Sequence, residues 1–123
     1  MKFFWLNIKG PKMKLQIKSY GYGDVISLKG ELDFHTAQEL RRELTNVAAR
    51  KTQQVAFDFK KVNYIDSSGL AAFLEFYQQA KSYGGKIVFF NMSNDVRNIF
   101  QISKLDSIFS LVNNKKEALS ILS

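Results

Sequence analysis

Apolar positions along this chain change rhythm several times, and each change marks an element. "MKLQIKSY" and "DVISLKGEL" alternate, and "GYG" separates them, which predicts a β-hairpin with glycine in its turn. "QVAFDF" sets Val55, Phe57 and Phe59 against Asp58, a strand, with "KKVNYI" as its exit loop. "KIVFF" is continuously apolar, as a strand buried on both faces should be, and "SIFSL" suits a short edge strand. Between these runs the spacing becomes helical. In "DFHTAQELRRELTNVAAR", Ala37, Leu40, Leu44 and Val47 share a face, and Thr36 with Glu39 has the form of a capping box. In "LAAFLEFYQQA", Leu70, Phe73, Leu74, Tyr77 and Ala80 share a face, and the helix ends at Gly84-Gly85. "SNDVRNIFQI" offers Ser93 or Asn94 as a cap, with Val96, Ile99 and Phe100 inward. "NKKEALSIL" closes the chain with Ala118, Leu119 and Leu122 apolar. From the hairpin onward strands and helices alternate, which predicts an α/β domain: a mostly parallel sheet of about five strands with about four covering helices.

Composition narrows the chemistry. The 123 residues suit one domain with a real core. The absence of cysteine excludes disulfides, thiolate metal sites and cysteine nucleophiles. No run approaches the ~18 apolar residues of a membrane span. "MKFFWL" has too short an apolar core for a signal peptide, so a cytoplasmic location is expected. The net charge of +7 favours an acidic partner or anionic surface. Basic residues come as scattered pairs (Arg41-Arg42, Arg50-Lys51, Lys60-Lys61, Lys115-Lys116) rather than one clustered footprint, which disfavours nucleic acid.

The stretch "NYIDSSGLAAFLEFY" carries the candidate chemistry. Asp66, Ser67 and Ser68 crowd the turn from strand to helix. A cap at Asp66 or Ser67 is the plain structural reading, with Gly69 allowing close backbone packing. A nucleophilic serine needs a base. The lone histidine, His35, stands beside Phe34 at the start of the first helix, the ordinary place for a capping or surface residue. The Gly-x-Ser-x-Gly elbow and phosphate-cradling glycine loops are absent. Covalent modification is the third reading, because free amides and the helix dipole at a helix start favour phosphate.

From "VAFDFKK" to "IFSL" the chain strongly resembles the STAS domain of anti-sigma-factor antagonists. The resemblance spans about residues 13 to 123, leaves residues 1–12 as an N-terminal extension, and includes "SLKGELDFHTAQEL" and "LDSIF". Its most specific part is "IDSSGL", similar to the family's Asp-Ser/Thr-Ser/Thr-Gly-Leu signature. The resemblance implies a partner switch. A serine kinase of the ATP-binding histidine-kinase-like class, which is also the anti-sigma factor, would phosphorylate Ser68. The unphosphorylated protein would bind that kinase, and a metal-dependent serine phosphatase would restore the binding form. Asp66, Ser67, Gly69 and Leu70 match the rest of the motif, and Asp33 in "GELD" matches an acidic position near the same loop. The protein would be substrate and ligand, not an enzyme, with no cofactor or metal of its own. The runner-up implied by the same family is a structural STAS subunit of a lipid or anion transporter, binding its ATPase or cytoplasmic face. For residues 1–12, a start-site artefact or floppy extension is favoured over an extra strand or an aromatic-basic handle for a partner.

Overall fold

Tyr20 and Gly23 pair across the two-residue turn Gly21-Tyr22 and align β2 (Met13–Tyr20) against β3 (Gly23–Leu32), the expected hairpin. The computed structural model describes residues 3–7, by their backbone, and residues 13–122. After β3 come α1 (Ala37–Ala49), β4 (Gln54–Ile65), α2 (Ser67–Lys81), β5 (Lys86–Phe90), α3 (Asn94–Ile102), a 3-10 turn at Leu105–Ser107, β6 (Ser110–Leu111) and α4 (Lys115–Leu122). Phe3–Asn7 form β1, paired antiparallel with β2. The favoured reading of the extension as floppy is thereby corrected for these five residues: the free edge of β2 supplies the hydrogen-bonding partners they need. Residues 1–2 and 8–12 lie outside the described set. The strands run in order β1-β2-β3-β4-β5-β6, with β3-β4, β4-β5 and β5-β6 parallel.

The alternation in β4 divides the core into two layers. Val55, Phe57 and Phe59 face α1, α2 and α3, whereas Ala56 joins Val88 and Phe90 beneath Ala118 and Leu122 of α4. Phe89 is fully buried on the first side, with its ring 4.9 to 5.5 Å from those of Phe57, Phe59, Phe73, Phe100 and Phe109. Such aromatic contacts add about 0.5–1.5 kcal/mol per pair to simple area burial. They pack α2 and α3 onto the sheet through Phe73 and Phe100. Phe76, absent from the expected face of α2, is also buried, because α2 packs against both the sheet and α1 and so hides a wider stripe.

Three local expectations change. "KKVNYI" is not an exit loop but the second half of β4, which carries register shifts against β3 at Ser27/Lys29 and Gly30/Glu31. Two bulges turn the pairs Lys60-Lys61 and Asn63-Tyr64 outward while Phe59, Val62 and Ile65 stay buried. The resulting three-residue repeat disguises the strand. "SIFSL" contributes only Ser110 and Leu111 to pairing, because Phe109 ends a turn anchored on the Leu105 carbonyl. The Thr36–Glu39 capping box does not form. Thr36 Oγ1 donates to the Glu31 carbonyl at 2.9 Å, and Glu39 pairs with Arg42.

Candidate functional site

Two loops meet beyond the C-terminal ends of β3 and β4. In the first, Asp33 is buried, and its Oδ1 accepts hydrogen bonds from the amides of His35 (2.9 Å) and Thr36 (3.3 Å). Thr36 Oγ1 accepts in turn from the Asp33 amide at 3.0 Å. Asp33 therefore folds the entrance to α1 from within.

In the second loop Asp66 is the N-cap of α2, its backbone extended (φ −121°, ψ −172°). Its Oδ1 accepts from the amides of Ser68 (2.9 Å) and Gly69 (3.2 Å), two donors with no partner inside the helix. Its Oδ2 accepts from the Phe34 amide at 3.3 Å, and its own amide donates to the Leu32 carbonyl at 3.2 Å. One carboxylate thus caps α2 and ties the two loops together. Asp66→Ala is expected to lower stability by about 1 kcal/mol in chemical denaturation, a usual cost of losing a cap. An unchanged midpoint would mean that water replaces both bonds without loss.

Because Asp66 does the capping, the hydroxyls of Ser67 and Ser68 make no hydrogen bond among the described residues. Ser67 is exposed. Ser68 is half-buried and opens into a groove of about 640 Å³ shared with Phe34, His35, Ala37, Gln38 and Arg41. Gly69 is buried where α2 crosses the end of β3, and a Cβ there would lie 2.4 Å from the Leu32 carbonyl oxygen and 2.9 Å from Ile65 Cγ1. Leu70 is buried in the main core and fixes the first turn. The structure accordingly gathers Asp33, Asp66, Ser67, Ser68, Gly69 and Leu70 around one junction, where the hydroxyls of Ser67 and Ser68 are uncommitted.

His35 lines the groove, its ring edge-on to Phe34 at 5.8 Å, but no hydrogen bond joins it to Ser68 among the described residues. Asp33 Oδ1 and both carboxylate oxygens of Asp66 accept from backbone amides, and no hydrogen bond joins either acid to His35's ring among the described residues. A Ser-His-Asp relay is not assembled here. No group of three His, Cys, Asp or Glu among the described residues is placed to hold a metal ion.

Pattern reading missed the flanks of the site. Phe34 is 76% exposed and Tyr64 50%, two large apolar surfaces beside the serine turn. Arg41 Nε contacts Glu75 Oε2 at 2.6 Å, bridging α1 and α2 beside the groove. The signal for Phe34 was an apolar residue off the buried spacing at a helix entrance. Tyr64 was hidden by the second bulge of β4.

The fold and this junction define an α/β domain with an exposed serine turn between β4 and α2. The STAS domain model matches residues 16–118, and the chain belongs to the STAS domain family. It is 28% identical over 113 residues to a protein of Paenibacillus polymyxa named anti-sigma F factor antagonist, spanning 89% of this chain and 97% of that one. Among solved structures, an anti-sigma factor antagonist from Mycobacterium paratuberculosis superposes with a TM-score of 0.83 at 22% identity, covering 92% of this chain and 97% of the other. The Bacillus cell fate determinant SpoIIAA in its phosphorylated form superposes with a TM-score of 0.70 at 23% identity, covering 89% and 99%. These two structural likenesses establish the fold.

Proposed function

We propose that this chain is an anti-sigma-factor antagonist in a partner-switching pathway, acting in the cytoplasm. Unphosphorylated, it binds a serine kinase that is also the anti-sigma factor, and phosphorylation on Ser68 releases it. The observation that carries this reading is the division of labour at the start of α2: Asp66 holds the amides, so Ser68 Oγ stands uncommitted on a rigid platform beside an open groove. The curated relative's name gives the partner class, an anti-sigma factor.

The kinase transfers the γ-phosphoryl group of ATP to Ser68 Oγ. A P–O bond forms to the serine, the bond to ADP breaks, and the hydroxyl proton leaves to a base of the kinase. The product adds about 1.5 to 2 negative charges at a position that carried none. That charge disrupts an interface through repulsion and desolvation, without unfolding the domain. A metal-dependent serine phosphatase returns the phosphate to water. The antagonist supplies the substrate serine and the docking surface and performs no catalysis itself.

The test is intact-mass and peptide mapping after incubation with ATP and lysate from the native host. One phosphate on Ser68, absent from Ser68→Ala, is expected. No phosphate on Ser68, with a control kinase substrate modified in the same lysate, would overturn the switch and favour the transporter-subunit reading.

A further inference from the structure

The sheet face away from α1 and α2 carries a basic row that the serine switch does not use. Lys14, Lys29 and Lys61 stand directly opposite one another on β2, β3 and β4, all three exposed. Neighbouring strands lie about 4.8 Å apart, so three ammonium stems are rooted side by side. Like charges directly opposite each other on a sheet are destabilising. The first bulge of β4 sharpens the concentration: a regular strand would turn one of Lys60 and Lys61 inward, whereas here both are exposed. None of Lys14, Lys29, Lys60 and Lys61 forms an ion pair among the described residues.

Beside the row lies a concavity of about 190 Å³ lined by Gln16, Ser27, Asp58, Lys60 and Lys61. Asp58 is the acid in that lining, and its Oδ1 already accepts from the Lys60 amide at 3.0 Å and Asn91 Nδ2 at 3.2 Å. Farther along the sheet, Lys18 and Lys115 lie 5.7 and 5.4 Å from the Tyr20 ring centre.

We infer that this face is a second docking surface, and that its occupant is an acidic segment of a partner polypeptide. An extended segment projects every second side chain to one side, about 6.6–7 Å apart, so two or three carboxylates reach the lysine row. The amide of Gln16 and the hydroxyl of Ser27 give the concavity hydrogen-bonding groups that a polypeptide can enter and a planar lipid surface cannot. The +7 net charge of the chain adds attraction over a longer range. The repulsion built into the row is relieved when an acidic chain lies across it.

Fluorescence anisotropy with a labelled peptide of alternating glutamate and serine, at low salt, tests this. Lys29→Gln/Lys61→Gln is expected to weaken binding about tenfold, and Lys86→Gln/Lys116→Gln, which removes the same charge elsewhere, by about twofold or less. Ser68→Glu is expected to leave peptide binding unchanged. Equal weakening by the two lysine pairs would overturn the inference in favour of net charge alone. So would absence of peptide binding, sensitivity to Ser68→Glu, or tighter lysine-dependent binding to phosphatidylserine vesicles than to the peptide. A second readout separates docking from structural support: Lys29→Gln is expected to raise the melting temperature by about 2 °C at low salt, with the gain gone at ~1 M salt. A fall in melting temperature would mean that the row holds the sheet together, and would overturn the inference.

Discussion

Ser68→Glu is expected to weaken binding to the kinase partner by about 300-fold, or ~3.4 kcal/mol, while Ser68→Ala stays within about threefold of wild type. The difference follows from where the side chain sits. Ser68 is half-buried in a groove walled by Phe34 and Ala37, so a partner closing over it must strip water from a carboxylate that has no cation committed to it. Alanine leaves only a small apolar side chain in the same place. Neither variant disturbs the cap, because Asp66 supplies both hydrogen bonds. At the second position of α2, glutamate is favoured by the helix dipole, by about 0.3–1 kcal/mol. Thermal stability should therefore hold or rise in Ser68→Glu while binding collapses. Calorimetric titration of the partner into each variant, beside a melting curve, decides the matter. Equal affinities for wild type and Ser68→Glu would remove Ser68 from the interface altogether.

Gly69→Ala is expected to destabilise the domain by about 2–3 kcal/mol, lowering its melting temperature by about 8–12 °C, although alanine is the better helix former by about 1 kcal/mol. The new methyl would lie 2.4 Å from the Leu32 carbonyl oxygen, a backbone atom that cannot swing aside. That carbonyl also accepts from the Asp66 amide, so relieving the clash pulls on the bond that joins the two loops. Either α2 lifts from β3, thinning the packing of Leu70 and Phe73, or the loop carrying Phe34 is displaced. Both displacements reach the serine turn, and partner binding should fall together with stability. A melting temperature equal to or above that of wild type would show that α2 can shift along β3 without cost, and the rigid-platform account of Ser68 would then fail.

The hydrophobic pattern was a good guide wherever burial followed a single period. β2 and the inward faces of α1 and α3 follow period 2 or 3.6, and β5 is a continuous apolar run because it is buried between the two core layers. It misled where the neighbour was irregular. In the second half of β4, Phe59, Val62 and Ile65 recur every third residue, since two bulges absorb an extra residue each against β3. Neither period describes that spacing, and the strand looked like a loop. Thr36 and Glu39 have the letters of a capping box, but the Glu31 carbonyl and Arg42 claimed their side chains. Phe3–Asn7 pair with the free edge of β2, a partner that "FFWLN" by itself does not reveal.

The candidate site divides in the same way. "IDSSGL" at a strand-to-helix junction located the turn, and residue types alone limited its chemistry: no cysteine, one histidine, and two hydroxyls at a helix start, where anions are favoured. The sequence by itself therefore determined the class of fold, the family resemblance and the position of the serine pair, because these depend on local pattern and on residues adjacent in the chain. Which residue caps α2, and hence which hydroxyls are left uncommitted, was decided only when β3 and β4 came side by side. Asp66 then gained Phe34 and Leu32 as partners from a loop more than thirty residues away. The alignment of Lys14, Lys29 and Lys61 was likewise decided by strand register, since hydrogen-bonded pairing between strands, and not distance along the chain, sets which charges meet.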